Sequence, residues 1–149
     1  LNASDKVETR MIWGCQWDVT MNWLISSGAK TSDEVNKDSS SWGNYKGTSV
    51  KADDGTTEIK ANGKDQKLNT GKTTFTMANN IYDLAGNCYE WTQEASGTLS
   101  RAIRGGYYYF DGSVLPASDR STNSPGISAS DIVRFSSHFN NKVILDSRA

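Results

Sequence analysis

From Cys15 onward the large apolar residues Trp17, Met21, Leu24 and Ile25 recur three to four positions apart, with Asp18 and Asn22 between them. Such positions fall on one face of a helix, so the pattern predicts one amphipathic helix over about 15–27. Ser26-Ser27-Gly28 supplies its stop. The Trp and Met stripe reads as core packing. Residues 29–74 then turn to Ser, Thr, Asn, Asp, Lys and Gly, with only occasional Trp42, Tyr45, Val50, Ile59 and Leu68. That stretch reads as long loops with little core. Within it, Asp54-Gly55 and Asn62-Gly63 are turn signals flanking Thr56-Thr57-Glu58-Ile59-Lys60-Ala61, which predicts a short exposed hairpin strand.

The second half is dense in aromatics and glycines. The run from Asn80 to Thr92 alternates apolar and polar residues near both ends, with Ala85-Gly86-Asn87 as a turn between them. Arg101-Ala102-Ile103-Arg104-Gly105-Gly106 follows, then Tyr107-Tyr108-Tyr109-Phe110. The chain is irregular and polar to about Asp131. A last apolar patch lies in Ile132-Val133-Arg134-Phe135, with Phe139 and Val143-Ile144-Leu145 beyond. No internal repeat is visible.

Composition narrows the classes. The 149 residues suit one domain with a core, and 36% hydrophobic against 22% charged residues is a globular balance. With 16 basic and 17 acidic residues the net charge is -1, so nothing electrostatic points to nucleic acid. No apolar run approaches the roughly 20 residues of a membrane helix, and membrane insertion is not expected. Leu1-Asn2-Ala3-Ser4 lacks the charged and apolar regions of a signal peptide. Gly71-Lys72-Thr73 is no phosphate loop, because Gln66 stands where that motif needs glycine. Asp53-Asp54-Gly55 lacks the alternating ligands of an EF-hand. Cys15 and Cys88 permit one disulfide at most; two buried reduced thiols are the simpler reading, and the pairing stays open.

The run from Asn80 to Thr92 resembles the "GLYDMxGNVWEW" signature of the formylglycine-generating-enzyme (sulfatase-modifying-factor) family. Arg101 to Tyr107 resembles that family's "RVLRGGSW", and Ile12-Trp13-Gly14-Cys15-Gln16-Trp17-Asp18 is similar to its "LPTEAEWE". The three motifs stand in the family's order over roughly residues 9–135. The resemblance implies an α+β, C-type-lectin-like fold with small antiparallel sheets, few helices and much ordered loop. It also implies strands ahead of Ile12, so residues 1–149 read as the C-terminal part of one lectin-like domain. A larger polypeptide or a second chain would supply the missing strands. The parts would be the helix at 15–27, the polar segment 29–74, core motifs at 80–106 and a ligand-binding region at 107–135.

The same residues have a physical reading. Gly86 and Asn87 suit a tight turn with positive φ. Glu90, beside two aromatics, needs a partner if buried, and Arg104 is the natural candidate. Trp17, Asn87, Glu90, Trp91, Arg104, Gly105 and Gly106 are accordingly expected to be structural. The resemblance also raises calcium at Asn87 and Glu90, as the one candidate cofactor; two ligands are too few to establish a site.

The departures from the family carry the functional expectation. Its oxidases use two cysteines near the end of the domain, and no cysteine follows Cys88 here. The related iron enzymes need several histidines, and His138 stands alone. The expected class is therefore a non-catalytic binder. In place of those cysteines, 107–131 is rich in Tyr, Asp, Ser, Asn and Gly, the bias of antibody binding loops. The candidate ligand-binding residues are Tyr107, Tyr108, Tyr109, Phe110, Asp111, Ser113, Leu115, Asp119, Ser121, Thr122, Asn123, Ser124, Ser128 and Asp131. A half-buried core strand at 107–110, with alternation burying two of the four rings, is the competing reading. The region also looks like the variable segment of retroelement-diversified proteins on phage or bacterial surfaces. That resemblance implies a protein or glycan ligand and a place outside the cell, on its surface or on a virion. An enzyme of the same fold with an unrecognised site, or a purely structural surface module, are the alternatives.

Overall fold

The computed structural model describes residues 10–124. Its elements are α1 (Gly14–Ser26), α2 (Ser32–Asn36), β1 (Val50–Lys51), β2 (Glu58–Lys60), a 3-10 turn (Thr74–Thr76), β3 (Met77–Ala78), β4 (Ile81–Tyr82), β5 (Glu90–Ala95), β6 (Arg101–Arg104) and β7 (Arg120–Asn123). The strands form three small antiparallel sheets, β1-β2, β3-β4 and β5-β6-β7. Few helices, small antiparallel sheets and long connections make a small mixed architecture, compatible with the α+β class.

The predicted helix is α1, displaced by one residue. Gln16 reaches back so that its Oε1 accepts the Trp13 amide at 2.8 Å, satisfying one of the donors a helix start leaves open. Gly28, at φ 75°, ends the helix, and Lys30 donates to the Leu24 carbonyl at 3.1 Å. Trp17, Met21 and Leu24 are buried and Ile25 packs against them, so the stripe is core, as its spacing requires.

The polar segment departs from the expectation of loops with little core. Val35, Trp42, Tyr45 and Val50 are essentially inaccessible and Leu68 is buried. Val35, Trp42 and Tyr45 pack in one cluster with Trp17, Met21, Leu24, Leu84, Ala85 and Ala117. Polar residues make this burial workable by serving as internal partners. Thr31 caps α2, accepting from Glu34 N–H at 3.2 Å while Glu34 accepts the Thr31 amide at 2.8 Å. Ser39 Oγ donates to the Glu34 carbonyl at 2.6 Å and accepts from Ala117 N–H at 2.9 Å. The hairpin strand is β2, closed against β1 by Asp54, whose Oδ1 accepts the amides of Thr56 and Thr57. It is less exposed than expected. Lys60 is buried and donates its ammonium to the carbonyls of Tyr45 and Thr48.

Candidate binding face

Three features hold the ground beneath the region after Gly106. The first is the turn at Gly86-Asn87, where both residues take positive φ, 69° and 59°. Gly86 lies on the backbone of Asn44, leaving no room for a Cβ, and its amide donates to the Gly105 carbonyl. The Asn87 side chain is a clamp. Its Oδ1 accepts from Leu68 N–H and Asn44 Nδ2, and its Nδ2 donates to the Leu68 carbonyl. An amide so occupied does not fit a calcium ligand. No group of three metal-ligating side chains is assembled among the described residues.

The second feature is the Arg104-Gly105-Gly106 corner. Both glycines take positive φ, 87° and 78°. A side chain at Gly105 would strike Glu90 Oε2, the Leu84 carbonyl and the Trp17 ring; one at Gly106 would strike the Leu115 carbonyl and the Tyr45 ring. The two glycines thus serve the structural role expected of them, letting the chain pass close to its neighbours.

The expected Glu90–Arg104 pair is not formed. The two residues are opposite in the β5-β6 register, yet the Arg104 guanidinium reaches α1 and pairs with Asp18. Asp18 also pairs with Arg120 of β7 at 2.7 Å, and Arg120 meets Glu94 at 3.2 Å. The reason lies in the helix: Asp18 is one position beyond buried Trp17, next to the sheet, and offers a carboxylate that needs less desolvation than Glu90. Glu90 Oε2 is buried without a hydrogen-bond partner among the described residues. Burial pushes its carboxyl well above the usual range, and the charge of Asp83 adds to that. Glu90 is therefore an unpaired carboxyl under the Gly105 turn, where burial favours its protonated form.

The third feature is a brace from the polar segment. Ser39 N–H donates to the Gly112 carbonyl at 3.2 Å, Lys46 N–H to the Phe110 carbonyl at 3.0 Å, and Gly47 N–H to Asp111 Oδ1 at 3.0 Å. The Tyr45 hydroxyl donates to the Gly105 carbonyl at 3.2 Å, and Tyr108 N–H donates to the Asn87 carbonyl at 3.1 Å.

On this ground Tyr107–Phe110 is a turn, not a strand, which overturns the alternating-burial reading. All four rings form one cluster. Tyr107 lies 4.4 Å from Tyr108, 6.5 Å from Tyr109 and 6.4 Å from Phe110, centre to centre. Tyr89, which the sequence reading did not select, stacks on Tyr107 at 5.3 Å and 12°. Burial pushes the Tyr89 phenol up to about 12 and the Tyr107 phenol higher still, so both stay protonated. Tyr107 and Tyr108 are half-buried; Tyr109 and Phe110 are 50% and 43% exposed. Asp111, Ser113, Thr122, Asn123 and Ser124 are exposed, while Leu115, Asp119 and Ser121 are half-buried. Ser128 and Asp131 lie outside the described residues.

Sequence reasoning also missed Lys46, whose Nζ sits 4.8 Å from the Tyr109 ring centre, and Val114, 61% exposed beside the turn. No short-range signal marks Lys46, which is brought there by contacts more than sixty residues apart. The cysteines are free, Cys15 exposed and Cys88 half-buried, so neither is the buried thiol expected. Burial, with Glu90 nearby, pushes the Cys88 thiol up and disfavours its nucleophilic thiolate.

Among solved structures the chain is similar to Treponema denticola variable protein 1, with 18% sequence identity and a TM-score of 0.49, over 82% of this chain and 44% of that one. The chain thus spans less than half of that protein's length. No family model and no curated protein matches the sequence.

Proposed function

We propose that this chain is a non-catalytic ligand-binding domain of the C-type-lectin-like, formylglycine-generating-enzyme type. In this reading it acts outside the cell, on a bacterial surface or a virion, as a retroelement-diversified variable protein. Its binding face is the aromatic turn with the loop and strand that follow it. The observation that carries the reading is the state of Tyr109 and Phe110, two large rings held in water on a backbone fixed from beneath. Large exposed aromatics in contact with one another mark interaction sites, because leaving them in water is costly unless a partner covers them. A rigid base lowers the ordering cost of binding. The catalytic alternative draws less support, since no cysteine follows Cys88 and His138 is the chain's single histidine.

The reading is tested by sequencing independent natural copies of the gene. Substitutions concentrated between Tyr107 and Asp131, with Gly86, Asn87, Gly105 and Gly106 kept, are the expected result. Invariance across 107–131, with an invariant polar cluster, would favour an enzyme and overturn it.

A further inference from the structure

The aromatic turn carries one charge that its own segment does not supply. Lys46 holds its ammonium 4.8 Å from the Tyr109 ring centre and 3.5 Å from Asp65 Oδ1. Its main chain is pinned on both sides. The amide donates to the Phe110 carbonyl at 3.0 Å, and the carbonyl accepts from Gly63 at 2.8 Å. The scaffold, not the turn, therefore sets where this cation stands among the rings.

Several polar groups of the face are tied to their own neighbours. Asp111 Oδ1 accepts from Gly47, Ser121 Oγ donates to Asp119 Oδ2 at 2.6 Å, and Asn123 Oδ1 accepts from Ser124 N–H at 2.9 Å. What faces water joins ring and aliphatic surface, from Tyr109, Phe110 and Val114, to the polar side chains of Asp111, Ser113, Thr122, Asn123 and Ser124. A protein surface that sets an apolar side chain beside a carboxylate asks only for what is here. The apolar group covers the rings, and the carboxylate meets Lys46.

Resting on the reading of the turn as a binding face, we propose that its ligand is an acidic, hydrophobic protein surface and that Lys46 selects the acidic group. Asp65 does not block this role. Its side chain and that of Lys46 are 37% and 42% exposed, and a solvated pair of this kind exchanges partners at little cost.

A phage-displayed random peptide library, panned against the full chain and against K46E, D65N and Y109A, tests the proposal, with a glycan array run on the same proteins. Peptides selected by the unaltered chain should be enriched in Asp or Glu next to Phe, Leu or Trp. A synthetic peptide from that selection should bind K46E about tenfold or more weakly. Its Glu→Lys counterpart should recover on K46E, and D65N should bind the original more tightly. All four proteins should melt within a few degrees of one another, because the altered side chains are 37–50% exposed and make no fully buried contact.

Acidic enrichment that persists unchanged on K46E overturns the role of Lys46, while loss on Y109A alone leaves the binding face standing. Peptides held equally by Y109A remove the binding face itself. Glycan binding without peptide enrichment, or no enrichment over an unrelated protein, overturns the choice of a protein ligand.

Discussion

Two pairs of aromatic side chains, Trp42 with Tyr45 and Tyr109 with Phe110, come from segments of similar polarity and meet opposite fates. Trp42 and Tyr45 are 1% and 0% exposed; Tyr109 and Phe110 are 50% and 43% exposed. The difference lies in what surrounds each pair. Trp42 finds the Glu34 carbonyl for its indole N–H at 3.2 Å, and Tyr45 finds the Gly105 carbonyl, so both polar tips are satisfied inside. Tyr109 and Phe110 sit past the glycine corner, where the main chain is held by Lys46 and Gly47 and the rings meet one another, Tyr107 and the Lys46 ammonium. Aromatic content in a polar stretch therefore does not separate core from binding face; the tether of the backbone and the partner of each polar tip do.

The sharpest way to break this contrast is truncation of Trp42. Trp42→Ala should cost about 3–5 kcal/mol, as for other buried aromatics, and denaturant unfolding monitored by fluorescence measures it. A cost near that of a surface change would show that the polar segment carries no core. Next in size is Asp18→Ala, which strands the buried Arg104 guanidinium. Because Asp18 is itself 42% exposed, the expected loss is about 2–3 kcal/mol, below that of a fully buried pair. Glu90→Gln should leave the fold intact and change how stability responds to pH.

The sign of that response follows from burial. A carboxyl raised on folding keeps a proton that the unfolded chain has released. Its contribution is complete below the ordinary value of 4.5 and is lost as pH rises toward the folded value. Asp83, also raised by burial, acts in the same direction. The unaltered protein should lose stability as pH rises from the ordinary carboxylate range, and Glu90→Gln should lose less. Equal slopes would place Glu90 in contact with a cation after all.

Much of this was legible along the chain. Spacing alone marks α1, since Trp17, Met21, Leu24 and Ile25 have no other way to share a face. Gly86-Asn87 and Gly105-Gly106 announce positive φ, because few other residues tolerate it. Thr31-Ser32-Asp33-Glu34 carries a capping box, and Asn79-Asn80, both at positive φ between β3 and β4, is a hairpin turn; both signals were there and went unused. The burial of Trp42 and Tyr45 was not legible, because it depends on carbonyls supplied by other segments. Arg104 could not be assigned to Asp18 from sequence, since a strand residue has neighbours on its sheet and on the helix above it, and spacing does not choose between them. Tyr89 and Lys46 join the face through contacts with no local pattern.

The account stands on Tyr109 and Phe110 being presented to solvent instead of holding the fold together. The direct measurement is the unfolding free energy of the double variant Tyr109→Ala/Phe110→Ala. Loss of one cation–ring contact, one edge-on ring pair and two tilted contacts to Tyr107, all half in water, should amount to about 1–2 kcal/mol. A loss of about 3 kcal/mol or more, the size seen when a buried ring is removed, would make the turn part of the core and contradict the account.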